Sequence, residues 1–153
     1  MSPRDRELAV AIIESFDSKP EMLIQLLHGF VDKFGYVSEA AIRLIADELN
    51  LSRADVHGVV SYYHDFRTEK PGRHIVKICQ AEACQAMGSR KLTEHVERRL
   101  GVELHQDSEA VSLQPVYCLG NCACAPAVMI DGKTWGRVTS ERFDALIEQE
   151  LNT

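Results

Sequence analysis

Four cysteines in two closely spaced pairs constrain this chain more than any other feature. Four residues separate Cys79 from Cys84, and three separate Cys118 from Cys122. A [2Fe–2S] cluster needs two thiolates on each of its two tetrahedral irons, so two such pairs meet its requirement. Structural zinc sites and thioredoxin-type redox sites both favour a C-x-x-C spacing, which the sequence lacks. The spacing therefore favours an iron–sulfur cluster over another metal or thiol chemistry.

The remaining cysteine and the histidines leave alternatives open. Cys124 lies two residues after Cys122, so it could replace a ligand, tune the cluster or fill space as a small apolar side chain. We favour the space-filling role. A Rieske-type site, in which two histidines replace two cysteines, is disfavoured because no histidine lies within four residues of a cysteine.

Composition and charge exclude several classes of function. The 153 residues are 45% hydrophobic and 26% charged, with a formal net charge of −6, which disfavours nucleic acid and anionic membranes as partners. Residues 1–6 lack the apolar core of a signal peptide, so we expect a cytoplasmic protein without direct membrane contact. The sequence contains neither a G-x-G-x-x-G nor a Walker A motif. We therefore expect no nucleotide or substrate site in this chain, and its electrons must come from a partner.

Helical periodicity runs through residues 1–70. The apolar positions of the strongest stretch are Leu23, Leu26, Leu27, Phe30, Val31 and Phe34. Ser38 is predicted to cap the next helix, and Ser52 with Asp55 resembles the capping box of a third. That third helix is predicted to bury Val56, Val59, Val60 and Tyr63. Together with an earlier helix through Leu8, Ile12 and Ile13, these elements predict a small antiparallel bundle.

The pattern changes after Pro71-Gly72, which marks a predicted domain boundary. Strands are predicted at 74–78, 110–113, 116–117, 128–130 and 134–138. A helix that ends at Gly101 separates the first two strands. Ser140 is predicted to cap a last helix that buries Phe143, Leu146, Ile147 and Leu151. Residues 71–153 thus read as a small α/β or α+β sandwich, with both cysteine pairs on loops that follow strands.

Two sets of motifs occur in order along the chain. The first consists of Phe34-Gly35-Tyr36-Val37 and Val56-x-Gly58-Val59-x-Ser61-Tyr62-Tyr63. The second consists of Cys79-x4-Cys84-x3-Gly88 and Cys118-Leu119-Gly120-x-Cys122-x-x-Ala125-Pro126. Together they resemble the thioredoxin-like [2Fe–2S] ferredoxin family from about residue 20 onward. Ser38 stands where the family often has proline and Gln80 where many members have threonine, and neither is a proposed ligand.

This resemblance implies both a fold and a role. It implies an α+β protein in which residues 1–70 form a helical docking domain and residues 71–153 a thioredoxin-like domain. It implies one [2Fe–2S] cluster bound by Cys79, Cys84, Cys118 and Cys122. It also implies a flavoprotein partner that holds FMN and binds NAD(H), and a larger catalytic subunit. The chain would then belong to an NAD-dependent oxidoreductase without contributing a catalytic residue.

The resemblance also points to a particular subgroup. The segments 81–85 and 118–124, including the extra cysteine, resemble the gamma subunit of molybdenum-containing, NAD-dependent formate dehydrogenases. Matching subunits of respiratory complex I or of NAD-reducing hydrogenases are alternatives, as are a stand-alone [2Fe–2S] ferredoxin and a thiol oxidoreductase. The helical first half favours an assembled subunit, because a free ferredoxin has less need of it.

Overall fold

The computed structural model describes residues 2–151, and the predicted burial of Leu151 lies outside the described side chains. The chain forms two compact units, Met1–Lys70 and Pro71–Thr153. The first is helical, and the second combines helices with a four-stranded sheet. The fold class is therefore α+β, as predicted.

The described part of the first unit contains four α-helices: α1 (Pro3–Ser15), α2 (Leu23–Phe34), α3 (Glu39–Glu48) and α4 (Arg53–Tyr62). A short 3-10 helix, Pro20–Met22, precedes α2. The predicted caps are confirmed, because the Ser38 hydroxyl accepts the Ala41 N–H at 3.2 Å. Ser52 and Asp55 exchange the two hydrogen bonds of a capping box. Local sequence therefore sets where α3 and α4 begin.

The core of the first unit lies between these helices, and the sequence misassigned one residue to it. Its largest fully buried side chains are Ile13, Leu26, Leu27, Phe30, Val37, Ile42, Ile45 and Val56. Tyr63, predicted to be buried, is 41% exposed. It follows the last residue of α4 with extended backbone angles, so its side chain leaves the helical face. Its ring instead packs edge-on against Tyr62 and Phe66.

The second unit is a sheet with helices between and after its strands. Its elements are β1 (His74–Cys79), α5 (Glu82–Ala86), α6 (Ser89–Leu100), β2 (Val111–Val116), β3 (Val128–Ile130), β4 (Lys133–Trp135) and α7 (Ser140–Leu151). The strand order is β2-β1-β3-β4, with β1 and β2 parallel and the other pairings antiparallel. Helices α6 and α7 pack together and are bridged by a contact of 2.9 Å between His95 and Asp144.

Four local features of the second unit differ from the predictions. The strand predicted at 134–138 ends at Trp135, so residues 136–138 are not part of the sheet. The strands predicted at 110–113 and 116–117 are one continuous strand, β2. Its Pro115 is accommodated because β2 is an edge strand, where a missing N–H leaves no neighbour unpaired. The short helix α5 was not predicted. Thr139, rather than Ser140, caps α7, since its hydroxyl accepts the Arg142 N–H at 3.2 Å.

Candidate metal centre

Cys79 and Cys84, the buried pair, lie where β1 passes into α5. Their exposed fractions are 1% and 2%. The Cys79 N–H donates to the Ala127 carbonyl at 3.1 Å, and the buried Ser89 hydroxyl donates to the Cys79 carbonyl at 2.5 Å. The expectation that both pairs lie on loops is wrong for the buried pair, because Cys79 is the last residue of β1 and Cys84 belongs to α5. Regular structure and buried hydrogen bonds therefore hold this side of the site.

Cys118 and Cys122, the exposed pair, lie on the loop after β2. Their sulfurs are 3.6 Å apart. Two thiolates at roughly 2.3 Å from one tetrahedral ion would be separated by about 3.8 Å, so this pair can bind a single iron with little movement. The Gly120 N–H lies 3.3 Å from the Cys118 sulfur. A donor in this position stabilises a thiolate and influences the potential of a bound cluster.

The two pairs lie at or after the ends of the neighbouring parallel strands β1 and β2. The Gln80 N–H donates to the Val116 carbonyl at 2.8 Å, which joins the segments that follow the two strands. Cys122 interacts electrostatically with Cys79 and with Cys84. The register of the parallel strands therefore brings together two pairs that are distant in sequence.

The environment of each thiol differs. Burial is the main cause that raises the pKa of Cys84, while a backbone hydrogen bond from Ala127 opposes it. The hydrogen bond from Gly120 lowers the pKa of Cys118, followed by its contact with Cys122. The Cys118 thiol in turn raises the pKa of Cys122. Of these three thiols, only Cys118 therefore has a lowered pKa, which favours its thiolate, while the causes that raise the pKa are larger at Cys84 and Cys122.

The donor set fits a cluster with two irons. Within residues 2–150, no three His, Cys, Asp or Glu side chains lie close enough together to hold a metal ion, so the fit rests on the chemistry and pairing of the thiols. A [2Fe–2S] cluster takes its thiolates as two pairs, and the site presents one buried and one exposed pair. His74, the histidine closest in sequence before Cys79, instead pairs with Asp131 at 2.7 Å.

Two residues of the site, Ser89 and Gly136, were not predicted from the sequence. Ser89 supports Cys79 from the start of α6, a contact across ten residues that no local pattern reveals. Gly136 packs against the loop that carries the exposed pair. An isolated glycine in a predicted strand is a known sign of close backbone approach, and this signal was present. Cys124 is half-buried and lies against Gly136, while its space-filling role stays a prediction.

No helix in the described part of the chain combines the length and the apolar character needed to cross a bilayer.

Comparison with known proteins gives consistent matches. The model of the thioredoxin-like [2Fe–2S] ferredoxin family matches residues 9–150. A subunit of the NADH-quinone oxidoreductase of Pseudomonas aeruginosa is 35% identical over 116 residues, which cover 74% of this chain and 70% of that protein. The HndA subunit of the NADP-reducing hydrogenase of Solidesulfovibrio fructosivorans is 32% identical, with 96% of this chain and 86% of that protein covered.

A solved structure supports the fold. An NAD+-reducing [NiFe]-hydrogenase superposes with a TM-score of 0.73 at 23% identity. The match covers 84% of this chain but only 22% of the hydrogenase chain. At this level of identity the similarity shows the shared fold alone.

Proposed function

Because the chain belongs to the thioredoxin-like [2Fe–2S] ferredoxin family, we propose that it is an electron-transfer subunit with one [2Fe–2S] cluster. The proposed ligands are Cys79, Cys84, Cys118 and Cys122. The observation that carries this proposal is the separation of 3.6 Å between the Cys118 and Cys122 sulfurs, which suits a shared iron, at the end of the sheet where β1 also ends in Cys79. The cluster, when bound, accepts and releases single electrons.

The buried pair and the exposed pair would have different roles in binding the cluster. The buried pair and its partners Ser89 and Ala127 exclude water on one side and fix the position of the thiolates. The exposed pair lies at the surface, where a redox partner can approach closely. This arrangement supports electron exchange through the side of the exposed pair.

We propose that the partner is a flavoprotein subunit that holds FMN and binds NAD(H), in a complex with a larger catalytic subunit. Two observations support this. The matched relatives are named as subunits of NADH-quinone oxidoreductase and of a hydrogenase. The sequence itself contains no glycine-rich nucleotide-binding motif. The chain therefore contributes electron transfer to an oxidoreductase whose substrate chemistry lies in other subunits.

The complex that contains the chain can be proposed more specifically. The segments 81–85 and 118–124 favour the gamma subunit of formate dehydrogenase, whereas the matched relatives favour complex I or a hydrogenase. Purification of the tagged chain with its native partners distinguishes these proposals. Reduction of NAD+ by formate supports the first, reduction by hydrogen supports a hydrogenase, and oxidation of NADH by quinone supports complex I.

The cluster is tested on the anaerobically purified chain. We expect about two irons and two sulfides per chain, and an EPR signal that appears only after reduction with dithionite. Cys122→Ser and Cys124→Ser form a matched pair of variants. Cys122→Ser should lose or strongly alter the cluster, while Cys124→Ser should keep the wild-type signal. The reverse result would make Cys124 the ligand, and absence of iron after reconstitution would refute the proposal.

A further inference from the structure

Three consecutive residues, 136–138, lie against the loop that carries the exposed pair, and we call them the strap. Gly136 makes the closest approach. A Cβ atom at this position would lie 2.6 Å from Asn121 Nδ2, 2.7 Å from Cys124 Cβ and 2.9 Å from the Cys124 carbonyl oxygen. The φ angle of Gly136 is not left-handed, so glycine is required here by space rather than by backbone conformation.

Hydrogen bonds fix the strap to the same loop. The Arg137 N–H donates to the Cys124 carbonyl at 2.6 Å, and the Val138 N–H donates to the Pro126 carbonyl at 3.0 Å. Cys124 and Ala125 are in turn bonded to Asn121 and Cys122 in a short 3-10 turn. A continuous path of backbone contacts therefore connects the strap to Cys122.

The two sides of the site differ in what supports them. The buried pair is held by β1, α5 and Ser89, whereas the exposed pair lies on a surface loop, which is ordinarily a mobile element. The potential of an iron–sulfur cluster depends on hydrogen bonds to its sulfurs and on solvent exposure. The position of this loop therefore affects the potential of any cluster that its thiols bind. The strap is bonded to the loop through the carbonyl of Cys124.

We propose that the strap positions the exposed pair and thereby sets the potential and the lifetime of the cluster. Gly136 is thus a positioning residue, because its missing side chain lets the strap approach the loop. This inference rests on the proposed function, since it assumes that the exposed pair binds iron. Support from outside the ligand set commonly changes metal affinity by about 10- to 100-fold.

Gly136→Ala tests the inference, and Gly72→Ala is its matched control. A Cβ atom at Gly72 would lie 2.7 Å from the Ser108 carbonyl oxygen, so the steric conflict is similar. Gly72, however, lies near the start of β1 and β2, and the cysteines lie where these strands end. Both variants should therefore lower stability, but only Gly136→Ala should affect the cluster.

The readouts are the reduction potential, the EPR g-values and the rate at which a chelator removes iron. We expect Gly136→Ala to shift the potential and the g-values and to lose iron about 10 to 100 times faster than the wild type. Gly72→Ala should match the wild type in all three. Wild-type values in Gly136→Ala, or equal changes in both variants, would overturn the inference while leaving the proposed function intact. A wild-type chain that binds no cluster would overturn both.

Hydrogen exchange of the wild-type chain tests the positioning role of the strap even if Gly136→Ala does not fold. Coupling between two sites is reciprocal, so a cluster held by the strapped loop must also protect the strap. Amide exchange at Arg137 and Val138 should be slower with the cluster than without it. Amides at Arg73 and His74, bonded to Glu109 and Ala110, should change little. Equal exchange of the strap in both forms would refute the positioning role.

Discussion

The Ser89 hydroxyl is fully buried and donates a hydrogen bond of 2.5 Å to the Cys79 carbonyl. Ser89→Ala removes this donor from a buried acceptor, so we expect the free energy of unfolding to fall by about 1–3 kcal/mol. Urea denaturation of the cluster-free chain measures this change. Ser15→Ala is the exposed counterpart, because its hydroxyl bonds to the Ile12 carbonyl at 2.6 Å in contact with solvent. It should change stability by less than about 0.5 kcal/mol. Equal costs for the two variants would contradict the role of burial.

At the residue level, the sequence is most informative where chemistry dictates spacing. Two thiolates that bind one iron must lie close together, so the short spacing of Cys79 and Cys84 allows them to be proposed as a ligand pair from sequence alone. The residues that contact the cysteines from other elements were harder to predict from sequence. The contact between Ser89 and Cys79 depends on how α6 returns to β1, and that between Gly136 and Cys124 depends on where β4 ends. Such contacts arise from tertiary structure, which local patterns do not encode.

At the scale of elements, α4 depends on its N-terminal cap. The Ser52 hydroxyl accepts the Asp55 N–H at 3.1 Å, and the Asp55 carboxylate accepts the Ser52 N–H at 3.2 Å. Ser52→Ala removes the first of these bonds and should lower the free energy of unfolding by about 0.5–2 kcal/mol. Thermal unfolding followed by circular dichroism measures the loss.

Ser61→Ala is the control within the same helix. Its exposed hydroxyl bonds to the Gly58 carbonyl at 3.1 Å and caps nothing, so the change should stay within about 0.5 kcal/mol. If Ser61→Ala cost as much as Ser52→Ala, the effect would come from losing a hydroxyl on α4 rather than from losing the cap.

The elements that prediction missed share a physical reason. Helix α5 is shorter than two turns, too short for a repeating apolar pattern to appear. The proline in β2 looks like a strand break until the sheet order shows that β2 lies at an edge. Long amphipathic helices such as α2, by contrast, were predictable because periodicity and burial agree along their whole length.

Among the described residues of the whole molecule, each unit has its own main hydrophobic core, with Phe30 and Ile45 in the first and Ile78 and Phe143 in the second. A smaller buried cluster in the second unit contains Cys79 and Cys84. All four proposed ligands and the strap lie in the second unit. We therefore expect a fragment of residues 71–153 to fold and to hold the cluster with the EPR g-values of the full chain. If that fragment cannot retain iron, the first unit is required for the site as well as for the proposed docking.

The same fragment separates binding of the cluster from assembly. If residues 1–70 are the docking domain, the fragment should fail to co-purify with partner subunits that the full chain captures. Recovery of the complete complex with the fragment would contradict this proposal. The sequence indicated this division because the periodicity changes near Pro71-Gly72. It could not indicate which complex is formed, since that depends on surfaces of other chains.

The sequence contains one tryptophan, Trp135, and it immediately precedes the strap. Its indole is partly buried against the core of the second unit, and its N–H finds no acceptor among the described residues. Iron–sulfur clusters absorb in the near ultraviolet and quench nearby fluorescence. We therefore expect the tryptophan fluorescence of the isolated chain to be weak while the cluster is bound and to increase when iron is lost. Binding and loss of the cluster can then be followed continuously, without an added label, by the fluorescence of Trp135.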